Sequence, residues 1–307
     1  MIKAVIDIGS NSIKMRIADT AGISPLKVLC DETEFVRLGR GMSASGTLSS
    51  ESMRLSSEAV TRMISKAERL GARIIMIVGT MALRTASNAS DFVKLVKEQT
   101  GHDVKILSGE EEAKYSWLGA SDGFEIDGEA VMFDTGGGST EFIKSSDGSV
   151  QKVPSTPVGA VNLSERFFGE FGEPAKKSQI DEALSYVNKI FVENEIGSFK
   201  AGKIIATGGG VAAMSAVKNA CENFIPSKLH GTVLTLNDAV RQIKLYSSLT
   251  LSERENIIGL PKSRADIILG SACIVYSALN VLEAKTCTVS INGLRHGLLL
   301  YNNVEMR

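Results

Sequence analysis

Val131-Met132-Phe133-Asp134-Thr135-Gly136-Gly137-Gly138-Ser139-Thr140-Glu141-Phe142-Ile143 decides how this chain is read. An apolar run closes on an aspartate, three glycines and a serine follow, and a second β-type run begins. The pattern predicts strand, tight glycine turn, strand. The glycines open φ > 0 and clear the turn of side chains, so its N–H groups can converge on an anion. A plain hairpin needs only one or two turn residues such as Asn-Gly. Asp134 stands where the strand hands over to the loop, a usual place to hold a metal ion.

The motif occurs twice. Near the start the chain reads Ala4-Val5-Ile6-Asp7-Ile8-Gly9-Ser10-Asn11-Ser12-Ile13-Lys14-Met15-Arg16-Ile17. With Asp7 laid on Asp134, Gly9 falls on Gly136 and Ser12 on Ser139. Self-similarity at this spacing marks a duplicated, domain-sized unit. Two domains, each opening with strand, anion loop and strand, are expected to turn their loops toward a shared central cleft. Only the second copy carries a further acid, Glu141, where the first has Lys14.

With 307 residues, the chain is long enough for two ordinary domains. Hydrophobic residues at 43% and charged residues at 22% place it among soluble globular proteins. A net charge of −1 supplies no global field for nucleic acid or an anionic membrane, so any polyanion needs a local patch. The cysteines (Cys30, Cys221, Cys273, Cys287) are scattered without CxxC spacing and read as reduced thiols in a cytoplasmic protein. No signal peptide is read at the N-terminus, and no apolar run approaches the ~20 residues that span a bilayer.

Strands are expected at 2–8, 12–19 and 26–36, then a basic, glycine-broken loop at Arg37–Met42. A helix follows from about Ser50 to Leu70, its apolar positions recurring at steps of three and four. Ile74–Val78 reads as a buried strand followed by a loop with Arg84. Ser90 is the expected cap of the next helix, and Val104–Leu107 a short strand. Ser108-Gly109-Glu110-Glu111 fits a capping box, which gives Glu111 a structural task and leaves Glu112 unexplained. Ser121–Gly128 is the candidate domain boundary and hinge. The second half repeats the order: strands at about 129–134, 140–145 and 149–156, and a helix capped by Ser178. Strand Lys203–Ala206 leads into Thr207-Gly208-Gly209-Gly210 and a helix from Val211. A glycine turn before a helix N-terminus is an anion site by geometry. Helices at 237–249, 252–258 and 264–283, a strand at Cys287–Ile291 and a helix from Leu294 complete an α/β pattern.

These motifs carry a resemblance. Asp7–Ser12, Gly79–Arg84, Ser108–Ala113, Asp134–Glu141, Thr207–Gly210, Gly259–Asp266 and Asn292–Arg295 stand in the order typical of one family. The chain resembles the exopolyphosphatase/guanosine pentaphosphate phosphohydrolase (Ppx/GppA) family over nearly its whole length. The resemblance implies the actin-like ATPase fold, a duplicated ribonuclease H-like arrangement of two domains around a cleft. It sets domain I at 1–124 and domain II at 125–295, with the last helix, about 296–307, packing back on domain I. Longer members carry a helical C-terminal region related to HD phosphohydrolases. The sequence stops before it and is expected to be the short form, which puts a processive grip on long chains in doubt. Asn162 stands where relatives often hold another residue, and no function is read into it.

The implied chemistry is exopolyphosphatase: hydrolysis of the terminal phosphoanhydride of inorganic polyphosphate, releasing orthophosphate. Phosphoryl transfer is mostly positioning and electrostatic stabilisation. Gly9, Ser10, Asn11 and Ser12, with Gly136, Gly137, Gly138 and Ser139, would cradle the terminal phosphates. Gly208, Gly209 and Gly210 would take the next. By resemblance, Mg2+ or another divalent metal falls to Asp134 and Glu141, with Asp7 the matching acid of the first copy; hard oxygen ligands suit such an ion. Glu112 is by resemblance the general base, and Arg84 can bind phosphate bidentately. The plain alternatives are turn-forming aspartates, a strand glutamate facing solvent, a first-turn acid favoured by the helix dipole, and an Arg84 ion pair. Arg37, Arg40, Lys262 and Arg264 could line the mouth for a polyanion. Competing readings are a guanosine pentaphosphate 5′-phosphohydrolase, an actin-like kinase or ATPase, and a non-catalytic phosphate-chain or alarmone sensor. Partners are the substrate alone, neither nucleic-acid polymer nor membrane, with a homodimer as a further candidate.

Overall fold

The computed structural model describes residues 1–21, 26–146, 149–152, 154–169, 173–199, 202–222, 225 and 228–304. Val153 of the expected third strand of the second half and residues 305–307 of the expected last helix lie outside these described residues. In chain order the first half holds β1 (Ile2–Ile8), β2 (Ile13–Asp19), β3 (Lys27–Glu34), α1 (Met42–Ser45), α2 (Ser50–Arg69), β4 (Ile74–Gly79), α3 (Met81–Thr85), α4 (Ala89–Thr100), β5 (Val104–Ile106) and α5 (Gly109–Ser121). The second half holds β6 (Glu129–Thr135), β7 (Thr140–Ser146), β8 (Ser149–Lys152), β9 (Ser155–Thr156), α6 (Ala160–Phe168), α7 (Lys177–Glu193), β10 (Lys203–Thr207), α8 (Gly209–Lys218), β11 (Val233–Thr235), α9 (Leu236–Ser247), α10 (Leu251–Arg254), α11 (Ile268–Val281), β12 (Thr286–Val289) and α12 (Leu294–Val304). No helix among the described residues is long and apolar enough to cross a membrane.

The chain divides into two compact units, Met1–Gly123 joined by Gly293–Arg307, and Phe124–Asn292. The first carries a five-stranded sheet in the order β3-β2-β1-β4-β5. Antiparallel pairing joins β1, β2 and β3, while β4 and β5 run parallel to β1. The second sheet runs β11-β12-β10-β6-β7-β8, with β9 paired to β7. There β6, β7 and β8 are antiparallel, and β10 and β12 run parallel to β6. The two share one plan, a meander of strands followed by parallel strands, so the repeat read from the glycine loops extends through each sheet.

In the first unit, α2 and α4 bury Val60, Met63, Phe92 and Val96 against Ile6, Ile8, Met15 and Ile17. The stripe of α2 works as the periodicity predicts, and Ser49 caps it by accepting from Ser52 N–H at 3.1 Å. A separate cluster sets Leu298 and Leu299 of α12 against Val5, Val78, Leu107 and Tyr115. Gly119 and Gly297 let α5 and α12 approach closely, since a Cβ at either would collide with the facing backbone. The second unit is built on α11, whose residues Leu269, Ala272, Cys273 and Leu279 are buried with Phe133, Phe142 and Phe191. Burial pushes the Cys273 and Cys287 thiols up to about 12, so neither ionises readily.

Several boundaries differ from expectation. Asn88, not Ser90, precedes α4; its side chain instead bonds both backbone groups of Leu48, at 2.8 and 3.0 Å. Lys176, not Ser178, stands at the N-cap of α7, where Gln179 accepts from its N–H at 2.8 Å. The glycine-broken segment after β3 holds the single turn α1, and the Arg84 loop is the short helix α3. Helix α8 begins at Gly209, which takes part of the expected glycine turn into the helix.

Candidate functional site

The site is read within each unit, at the carboxyl ends of its parallel strands, where open α/β sheets place ligands. In the first unit Ile8 of β1 lies beside Gly79 of β4, so the Gly9–Ser12 loop and the turn into α3 are neighbours. Gly9 N–H closes the loop on Ser12 O at 3.1 Å. The carbonyls of Ser10 and Asn11 are held from outside, by Gly39 N–H at 2.8 Å and Arg37 N–H at 3.0 Å. Among the described residues, the N–H groups of Ser10, Asn11 and Ser12 have no backbone acceptor. With the carbonyls of Ser10 and Asn11 engaged, these donors are the loop's offering to a ligand, as in an anion-binding nest.

The second loop repeats this. Gly136 N–H reaches Ser139 O at 2.9 Å. The carbonyls of Gly136 and Gly137 accept from Ala160, Val161 and Asn162 N–H at 2.8–3.3 Å. These are first-turn donors of α6, left over by any helix start. Among the described residues, Gly137, Gly138 and Ser139 N–H again have no backbone acceptor. Gly159 makes this docking possible, because a Cβ there would run into the Gly137 carbonyl and Gly138 nitrogen.

The aspartates end their strands in matching register but face different partners. Asp7 lies opposite Lys14, and Asp134 opposite Glu141. Oδ1 of Asp7 is enclosed without a hydrogen-bond partner. Burial pushes this carboxyl above the usual carboxylate range, with Lys14 and Arg295 pulling the other way. Glu141 does not simply face solvent: it is half-buried and its Oε1 accepts from Ser155 Oγ at 3.0 Å. Among the described residues no three His, Cys, Asp or Glu side chains gather into a metal-holding group. Asp134 and Glu141, paired across their hairpin, suit a hard divalent ion in kind.

Glu112 and Arg84 are brought together. Arg84, on α3, donates through Nη1 to Glu112 Oε2 at 2.6 Å and to Leu107 O at 3.0 Å. Both side chains are about 30% exposed, at 28% and 30%. Among the described residues Nε and Nη2 of Arg84 have no acceptor, so a fork of donors stays available. Glu112 sits in the first turn of α5, and Glu111 closes the capping box with Ser108, as read from the sequence. Glu111 also pairs with Lys105 at 2.7 Å.

The third glycine run resolves into three separate needs. Gly208 has φ 118 and ψ 156 and packs on the Thr135 backbone of β6. Gly209 lies under the Arg264 guanidinium, and Gly210 against Ser271. Burial lowers the Arg264 pKa, and Asp266 opposes that shift. The first turn of α8 thus combines unsatisfied N–H groups with a cation, both favourable to an anion. Arg295 instead serves structure, bonding Met15 O and the Asp31 carboxylate. Arg37, Arg40 and Lys262 are exposed. Sequence reasoning missed Asn162, Gly159 and Gly39; the only signal was a glycine at two of these positions, since the partners are backbone atoms far along the chain.

A model described as the Ppx/GppA phosphatase family matches residues 16–305. A bifunctional 3-dehydroquinate synthase/phosphatase of Fusobacterium nucleatum is 26% identical over 97% of this chain and 46% of its own. A guanosine-5′-triphosphate,3′-diphosphate pyrophosphatase of Pseudoalteromonas translucida is also 26% identical, over 97% of this chain and 58% of its own. The chain therefore spans about half the length of these curated relatives. The crystal structure of the Aquifex aeolicus Ppx/GppA family member superposes with a TM-score of 0.86 at 26% identity, covering 100% of this chain and 99% of that one.

Proposed function

Because the chain belongs to the Ppx/GppA phosphatase family and has its actin-like ATPase fold, we propose that it hydrolyses the terminal phosphoanhydride of inorganic polyphosphate and releases orthophosphate. The observation that carries this reading is the pair of loops whose backbone N–H groups are left without backbone acceptors while neighbouring segments hold their carbonyls. Such loops suit the oxygens of negatively charged phosphates.

Arg84 and Glu112 supply the asymmetry that hydrolysis needs. Nη1 of Arg84 fixes the carboxylate, and its Nε and Nη2 donors can take a phosphoryl oxygen at the same time. Glu112 then acts as general base on a water directed at the terminal phosphorus. Ser12 and Ser139 hydroxyls add hydrogen bonds, and the first turn of α8 with Arg264 receives a further phosphate. Asp134 and Glu141 would hold Mg2+ or another divalent metal, with Asp7 as the acid offered by the first loop. When bound, that ion neutralises charge on phosphate oxygens. The same reading carries a cytoplasmic setting and no nucleic-acid or membrane partner.

A second reading, removal of the 5′-terminal phosphate from guanosine pentaphosphate, is favoured by the name of the Pseudoalteromonas relative. One experiment addresses both. Phosphate release is measured with Mg2+ on polyphosphates of several lengths and on guanosine pentaphosphate, for the wild type and Glu112→Gln. Polyphosphate turnover that falls roughly 10²–10⁴-fold in the folded variant is expected. Turnover of guanosine pentaphosphate alone selects the second reading. Release from neither supports a sensor, and a fully active Glu112→Gln removes that residue from the mechanism.

A further inference from the structure

We propose that Asn162 is a positioning residue: its side chain fixes the peptide between Gly138 and Ser139, so that the second glycine loop presents an N–H rather than a carbonyl to the phosphate chain. This rests on the function proposed above.

The carboxamide of Asn162 is fully engaged. Oδ1 accepts from Gly159 N–H at 2.8 Å, while Nδ2 donates to Gly138 O at 2.8 Å and Pro157 O at 3.2 Å. Only one orientation satisfies this set, because an N–H must meet the amide oxygen and two carbonyls must meet the amide nitrogen. In a planar trans peptide, C=O and the following N–H point in opposite directions. Holding the Gly138 carbonyl toward the start of α6 therefore turns Ser139 N–H the other way.

Among the described residues, the Gly138 carbonyl has no other hydrogen bond, although Gly136 N–H closes the loop on Ser139 O. A Cβ on Gly138 would meet no atom within 4 Å, and glycine itself tolerates either peptide orientation. The carbonyls of Gly136 and Gly137 are held by backbone donors of α6. In the first unit the carbonyls of Ser10 and Asn11 are likewise held by backbone N–H groups, of Gly39 and Arg37. Among the carbonyls of the two loops in the described residues, that of Gly138 is the one held by a side chain. Removing that side chain also takes away the bond from Gly159 N–H at the start of α6, which the variants below separate from the lock.

Asn162→Asp and Asn162→Ala separate the possible roles. Aspartate keeps an oxygen to accept from Gly159 N–H, and its charge suits a helix start; it cannot donate to Gly138. Alanine loses both functions but adds no charge. The readouts are the Ser139 amide signal in 15N NMR without ligand, the thermal midpoint, and KM and kcat for tripolyphosphate. Expected are a displaced, faster-exchanging Ser139 amide in both variants and a KM raised about tenfold in both, on the scale of one or two lost hydrogen bonds. The thermal midpoint should fall only in the alanine variant. A Ser139 signal unchanged in both variants overturns the proposal. So does a KM effect confined to aspartate and erased by salt, which is charge repulsion, or activity lost only together with the midpoint, which is capping. The ligand-free amide signal decides the lock even if the wild type hydrolyses no phosphate chain, an outcome that would instead overturn the proposed function.

Discussion

Asp7 sits one residue from the end of β1 with Oδ1 enclosed and no hydrogen bond to it. Burying a polar atom without a partner costs roughly 1–3 kcal/mol, more for a charged one. Its carboxyl pKa is raised above the usual 3.8 by burial, with Lys14 and Arg295 only partly offsetting this. A raised folded value means the ionised form is what folding disfavours. Asp7→Asn should therefore raise the unfolding midpoint at neutral pH, by about 1 kcal/mol or more, while reducing phosphate release. The stability gain that comes from the charge should vanish well below pH 3.8, where wild-type Asp7 is protonated in both states. It should grow as pH rises from there to the raised folded value and then level off. Urea titrations of both proteins across that range measure it; no gain at neutral pH would show Asp7 to be well solvated. The aspartate was legible because it repeats, at Asp134. Its different surroundings were half legible, since Lys14 and Glu141 occupy matching sequence positions and the hairpin registers set each opposite its aspartate.

The β10–α8 turn shows where sequence reading stops for an element. Three consecutive glycines look alike in sequence, and the pattern assigns all of them to phosphate. Gly208 adopts a backbone region that only glycine visits readily, at φ 118 and ψ 156, and it abuts Thr135 O. Gly209 has an ordinary helical place, and what an added Cβ meets there is the tip of Arg264. Gly208→Ala is expected to cost at least about 1–3 kcal/mol in chemical denaturation. Gly209→Ala should leave stability unchanged or slightly higher, given alanine's helix preference, yet raise KM by moving Arg264. Equal stability losses at both positions would contradict this division. The same limit explains α4 and α7. Ser90 and Ser178 have the right chemistry for an N-cap, but Asn88 is drawn to Leu48 and Gln179 reaches back to Lys176. Local chemistry alone did not rank those options. The box at Ser108–Glu111 was legible because both partners lie within one turn of sequence.

The two units close differently along the chain. Phe124–Asn292 is one continuous segment, whereas the first unit needs Gly293–Arg307 to return to it. That return is substantive. Leu298 and Leu299 of α12 are 5% and 0% exposed, in a cluster with Val5, Val78, Leu107 and Tyr115. His296, 3% exposed, bridges Arg16 and Asp122, with contacts of 3.2 and 2.8 Å. Because an arginine can only donate, His296 Nδ1 accepts from it and Nε2–H is left to face the carboxylate. Burying two leucines is worth roughly 1.5–3 kcal/mol each, a large share of the ~5–15 kcal/mol that holds a domain together. Ending the chain after Asn292 should therefore unfold or strongly weaken the first unit and spare the second. The sequence provides its own probe, since its one tryptophan, Trp117, is buried on α5 in the first unit. In the truncated chain, the Trp117 fluorescence transition should move to much lower urea, or be absent, while far-ultraviolet circular dichroism keeps a cooperative transition from the second unit. Coincident transitions at the wild-type midpoint would show that α12 adds little and that the remaining core holds the first unit by itself.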